Sequence, residues 1–97
     1  MVDFENMTSE ELFEYAEDFI AEKIAKNPKI IRFSYYELKV KRNSTEKGVD
    51  RFLRCSKMIL EELNYKVFFT GARFEFENAN RIVETNEYLI GIKDEEQ

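Results

Sequence analysis

The sequence has no histidine, no tryptophan, one cysteine, one proline and three glycines. Each shortage excludes something. Without histidine, the commonest general base and the commonest zinc ligand are missing together. The single thiol, Cys55, cannot form an intramolecular disulfide or complete a Cys/His metal site, a pattern at home in a reducing cytosol. There is no EF-hand spacing, phosphate-binding glycine loop or Ser/His arrangement. No catalytic activity, cofactor or metal is expected, and a carboxylate-only Mg²⁺ or Ca²⁺ site is the one metal option left. No apolar run reaches the roughly 18 residues of a membrane span. The acidic start MVDFENMTSEE also lacks the basic-then-apolar order of a secretory signal. The expected location is therefore the cytoplasm. With so little glycine and proline, linkers are scarce. The 97 residues are expected to form one domain, with an ordered core over about 8–93 and a solvated tail at 94–97.

What is present is apolar and patterned. Apolar residues make up 43% of the chain, including nine Phe and five Tyr, too many for a disordered segment. The net charge of −5 is unevenly spread. Residues 1–28 hold eight acids and two bases, residues 29–73 five acids and eleven bases, and residues 74–97 seven acids and two bases. A basic middle lies between two acidic ends.

Thr8 and Glu11 form a capping box ahead of a helix over 8–27, whose apolar stripe is Leu12, Ala16, Phe19, Ile20 and Ile24. Asn27-Pro28 ends it. Residues 29–33 read as a short strand. The segment FSYYELKVKR is ambiguous, because Tyr36, Leu38 and Val40 alternate as in a strand while Ser34 and Glu37 match a second capping box. The cap favours a helix over 35–42. A longer helix over 45–63 buries Val49, Phe52, Leu53, Ser56, Ile59, Leu60 and Leu63, and turns Lys47, Arg51, Arg54 and Lys57 outward. Strands follow at 65–70, 73–77, 81–84 and 87–93. Tyr35, Tyr36, Phe68 and Tyr88 are assigned to the core. Cys55 sits on a helix flank where Arg51 and Arg54 could activate the thiol, but a lone Cys without a base is no catalytic signature.

This order of elements, with Ser34 to Leu38, Thr45 to Leu63 and the Asn64-Tyr65-Lys66-Val67 exit, resembles a winged helix-turn-helix domain. FSYYELKVKRN also looks like small proteins of Gram-positive phages and their hosts. The expected fold is α+β, with three helices, a short strand after the first, and a C-terminal β-hairpin or small antiparallel sheet. The alternative is a two-layer α/β sandwich with residues 30–42 as one long strand. The resemblance implies a phage or mobile-element regulator that binds double-stranded DNA, expected to act as a dimer on a pseudo-palindrome. Lys47, Arg51, Arg54 and Lys57 would face the major groove, Lys39, Lys41 and Arg42 would meet phosphates, and Arg81 would be the wing contact. On this reading, replacing Arg51 and Arg54 together leaves the fold intact. Three features depart from the family pattern: a long 71–86 region, a long third helix and an acidic total charge. The other reading is a protein-binding inhibitor of a nucleic-acid-processing enzyme, of the anti-restriction or anti-CRISPR kind. Its acidic surface would come from Glu10, Glu14, Glu17, Asp18, Glu75, Glu77, Glu84 and Glu87. DNA binding needs a continuous basic face, and inhibition a continuous acidic one.

Overall fold

The computed structural model describes residues 2–69, 74–78, 81–84 and 87–94, and the side chains of those outside 74–87. The elements run α1 (Ser9–Lys26), β1 (Ile30–Ser34), a single π-helical turn (Tyr36–Val40), α2 (Glu46–Glu62), β2 (Tyr65–Phe69), β3 (Phe74–Asn78), β4 (Arg81–Glu84) and β5 (Glu87–Lys93). The fold is mixed α+β, with three helices and a three-stranded antiparallel sheet of order β1–β5–β2, beside a β3–β4 hairpin.

Local chemistry sets the helix ends. At the start of α1, Glu11 N donates to Thr8 Oγ1 at 3.1 Å and Thr8 N donates to Glu11 Oε1 at 2.9 Å, the complete capping box. The Thr8 backbone N–H and, less strongly, the Thr8 hydroxyl hold the Glu11 carboxyl below its ordinary range. Gly48 N donates to Thr45 Oγ1 at 3.0 Å and caps α2. Asn64, at φ 67°, adopts the left-handed conformation just past the end of α2, which asparagine tolerates better than most residues.

The ambiguous segment resolves as a strand followed by a helical turn, not as one strand over 30–42. β1 stops at Ser34, whose Oγ accepts from Glu37 N at 3.1 Å. The turn that follows is wider than the expected α-helix, and Lys41 N reaches back to Tyr36 O at 2.7 Å. It is also shorter than 35–42. The Glu37 carboxylate does not close the capping box. It turns to Lys23 of α1, at 2.9 and 3.0 Å.

In the sheet, β5 pairs with β1 (Ile31 opposite Gly91, Phe33 opposite Leu89) and with β2 (Val67 opposite Gly91). Ile31, Phe33, Leu89 and Tyr65 are buried on the helix side. Gly91 lets α2 approach closely there, since a Cβ would come within 3.3 Å of Leu60 Cδ1.

An aromatic cluster fills the space between helices and sheet. Phe52 is fully buried and its ring lies 4.5 Å from Phe4, 5.3 Å from Phe19, 5.8 Å from Phe33 and 5.9 Å from Tyr15. Phe4 lies ahead of the expected start of the core at residue 8, yet it is one of the most buried side chains. Tyr36 and Phe68, assigned to the core from sequence, are 61% and 52% exposed. Tyr36 leads the π turn and points away from Leu38, and Phe68 lies on the sheet face turned away from the helices. Tyr35 and Tyr88 are half-buried, their rings 5.6 Å apart.

Candidate interaction surfaces

The outward face of α2 carries Lys47, Arg54 and Lys57, but acids are interleaved with them. Arg54 Nε lies 3.1 Å from Asp50 Oδ2, and Lys57 Nζ lies 3.6 Å from Glu61 Oε1, both one turn apart on the helix. Over Glu46–Glu62 the helix holds four acids and four bases. Lys47 is exposed, and no ion pair to it is seen among the described residues.

Arg51 does not join that face. It is half-buried, and its guanidinium donates to the carbonyls of Phe4 (2.9 Å), Glu5 (3.4 Å) and Met7. Three carbonyls on one cation tie the N-terminal segment to α2. Ser44 Oγ donates to Val2 O, Val2 N to Arg42 O, and Thr45 Oγ1 to Glu5 Oε1. Gly48 makes the approach possible, since a Cβ there would lie 3.1 Å from Glu5 N and 3.2 Å from Phe4 Cβ. The expectation that Arg51 and Arg54 could be replaced together without cost to the fold therefore fails at Arg51.

The 39–42 residues divide in the same way. Lys41 is exposed and Lys39 half-buried. Arg42 is held inside: its Nε donates to Tyr15 Oη at 3.0 Å, one terminal nitrogen donates to Glu37 O at 3.2 Å, and its guanidinium lies 4.9 Å from the Phe19 ring centre. Arg81 opens β4, and its side chain lies outside the described residues. A cleft of about 270 Å³ lined by Lys23, Lys26, Asn27, Ile30 and Arg32 gathers cations at the end of α1. Lys23 is already paired with Glu37 there, and the last carbonyls of the helix add negative potential.

The acidic surface behaves differently. Glu10, Glu14 and Glu17 follow at i, i+4 and i+7 along α1 with Asp18 beside them, and all four are exposed. None has an ion-pair partner among the described residues. Glu75 and Glu77 lie on β3, Glu84 on β4 and Glu87 on β5, with side chains outside the described residues.

Beside the acidic stripe runs an apolar cleft between α1 and α2. Its volume is about 180 Å³, and Phe13, Ile20, Ala21, Ile24, Ile59 and Leu63 line it together with Glu17 and Glu62. Phe13 and Leu63 are both about two-fifths exposed. Sequence reasoning missed Phe13. The signal was available, because Phe13 falls on the flank shared by Ile20 and Ile24, just outside the buried stripe. Cys55 is half-buried on α2 and packs against the core. Burial pushes its thiol up, Arg51 lowers it and Glu17 raises it again, so the activation expected from neighbouring arginines is outweighed by desolvation.

Among the described residues there is no group of three or more His, Cys, Asp or Glu that could hold a metal ion. No helix among them is long and apolar enough to cross a membrane. Set against protein-family models, curated proteins and solved structures, the chain matches none of them.

Proposed function

We propose that this chain is a small non-enzymatic module of winged-helix arrangement that binds another protein, covering a basic surface with the acidic face of α1. The carrying observation is a contrast in free charge. Glu10, Glu14, Glu17 and Asp18 are exposed and unneutralised among the described residues. Of the cations that DNA would need, Arg54 and Lys57 are paired with Asp50 and Glu61, and Arg51 and Arg42 are turned inward, which leaves Lys41 and Lys47 exposed. The cleft lined by Phe13, Ile20, Ile24, Ile59 and Leu63 lies beside this stripe and offers an apolar anchor to a partner whose cations meet Glu17 and Glu62. The basic channel of a nucleic-acid-processing enzyme is a surface of this kind, which fits an inhibitor of phage or mobile-element origin. The winged-helix reading is supported by a short strand after α1 that returns to pair with the last strand, and by a longer helix feeding directly into β2. It departs from that pattern in a second helix reduced to one π turn and in the β3–β4 hairpin placed between β2 and β5. Fold alone does not choose the partner.

The test is affinity capture with the wild-type chain, a Glu10→Lys/Glu14→Lys/Glu17→Lys variant and a Phe13→Ala variant. A protein held by the wild type and lost by both variants is the expected result, and capture unaffected by either variant overturns the assignment. Duplex DNA is the second reading, favoured because Lys47, Arg54 and Lys57 still share one outward face with Lys41 exposed in the preceding segment. Fluorescence anisotropy with random duplex DNA at two salt concentrations decides it. Steeply salt-dependent binding that Lys47→Glu abolishes would transfer the function to DNA.

A further inference from the structure

We propose that the outer edge of β2 is a self-pairing surface, through which two copies of the chain join their sheets across a twofold axis at Val67. This inference rests on the sheet edge and does not depend on the α1 face. β2 is an edge strand, with β5 on one side, and no hydrogen bond from another described residue reaches its other side. Proteins usually blunt such edges with short strands, charged side chains (lysine above all), proline, bulges or a covering element. Along Tyr65-Lys66-Val67-Phe68-Phe69, β2 has a lone Lys66 and no proline or bulge, and no covering element among the described residues. It holds its register with β5 over all five positions without a bulge and carries one charge. Phe68 and Phe69 are consecutive, so they point to opposite sides of the sheet, yet they are 52% and 51% exposed. Neither side of this strand end is covered by the described parts of the monomer.

The sequence of β2 is complementary to itself. The one antiparallel register that overlaps the whole strand sets Val67 against Val67, Lys66 against Phe68 and Tyr65 against Phe69 of the second copy. No like charges are directly opposed. The Lys66 stem lies across an exposed phenyl ring on one face, and an aromatic pair forms on the other. The opposite edge of the sheet, β1, lacks this property, because its full-length register sets Arg32 directly against Arg32. The sheet can therefore grow at β2 and is discouraged from growing at β1, which gives a closed dimer and not a fibre. With each copy at net −5, salt should strengthen the dimer by screening repulsion.

The experiment is sedimentation equilibrium on the full chain at concentrations up to about 1 mM, together with cross-linking of Val67→Cys in a Cys55→Ser background under a mild oxidant. The expected result is a reversible dimer that strengthens with salt, and a disulfide-linked dimer from Val67→Cys but not from Arg32→Cys in the same background. Phe68→Lys, an outward position, sets a second lysine against Lys66 at both ends of the pairing and should leave a folded monomer, checked by circular dichroism. Monomer at every concentration overturns the proposal. So does a dimer that survives Phe68→Lys, or cross-linking through Arg32→Cys in place of Val67→Cys. Should Phe68→Lys fail to fold, the two cysteine variants decide.

Discussion

Helices α1 and α2 pack on the same side of the sheet and feed the same aromatic cluster, yet their outward faces have opposite fates. α1 keeps Glu10, Glu14, Glu17 and Asp18 in solvent with no ion pair to them among the described residues. α2 sets Asp50 against Arg54 and Glu61 against Lys57, and sends Arg51 inward to three backbone carbonyls. Along the chain the basic middle looks as prominent as the acidic start. Among the described residues the acidic start remains as an open field, while the basic middle keeps Lys41 and Lys47 exposed and loses much of the rest to pairing and burial. A surplus of charge in a segment becomes a surface only after neighbours one turn away, and groups recruited as anchors, have been subtracted.

The comparison assumes that both helices share one interior, and Phe52→Ala tests that most severely. From α2 its ring touches Phe4, Tyr15, Phe19 and Phe33, of the N-terminal segment, α1 and β1. Truncation should cost about 3–5 kcal/mol in urea unfolding. A cost below about 1 kcal/mol would mean that the interior closes over the gap and that the helices are not jointly anchored.

Next in size is the split between two arginines three residues apart. Arg51→Ala leaves the Phe4 and Met7 carbonyls without their charged donor and should destabilise by about 1.5–3 kcal/mol. Arg54→Ala removes a solvent-exposed ion pair and should change stability by about 0.5 kcal/mol or less. Equal effects in thermal melts would erase the distinction between an inward and an outward cation on α2.

Much of this was legible in the sequence. The bounds of both long helices and of β4 and β5 fall within a residue of expectation, because caps and apolar spacing are local signals. The 34–42 segment was legible as a helical turn through Ser34 and Glu37, but the π geometry was not, since Glu37 is drawn away by Lys23, fourteen residues earlier. The role of the N-terminal segment was hidden for a similar reason. Phe4 has no periodic neighbours, and apart from Tyr15 its partners Arg51 and Phe52 lie more than forty residues along the chain. Gly48 held a hint, because a glycine on the buried side of a helix costs propensity and usually marks a close approach. The neutralised face of α2 was fully readable: Asp50 and Arg54, like Lys57 and Glu61, are four apart. The open acidic face was readable as a stripe, but its freedom from partners depends on what packs nearby.

A smaller and opposite effect is expected at Ser56. Its Oγ is fully buried on the inner face of α2 and has no hydrogen-bond partner among the described residues. A desolvated hydroxyl without a partner is a cost, and alanine is the better helix former. Ser56→Ala should raise stability by about 0.5–1 kcal/mol, read as a higher denaturant midpoint at unchanged slope. A loss of stability would show that the hydroxyl is satisfied and that the inner face of α2 is less purely apolar than the comparison requires.

The finest probe of the two faces is Cys55, which sits where their fields meet. Burial raises its thiol most, Arg51 on its own helix lowers it, and Glu17 on α1 raises it. Only the thiolate is alkylated, so at a pH below the thiol pKa the rate follows the thiolate fraction. Glu17→Gln removes a negative charge that disfavours the thiolate. It should therefore lower the pKa and speed iodoacetamide labelling without moving the melting temperature appreciably. Salt should shrink the difference between wild type and variant, because Glu17 is exposed to solvent. An unchanged rate in Glu17→Gln would mean that the acidic field of α1 is screened before it reaches Cys55. The stripe would then be a solvated surface with no electrostatic reach, and the protein-binding reading would lose its main support.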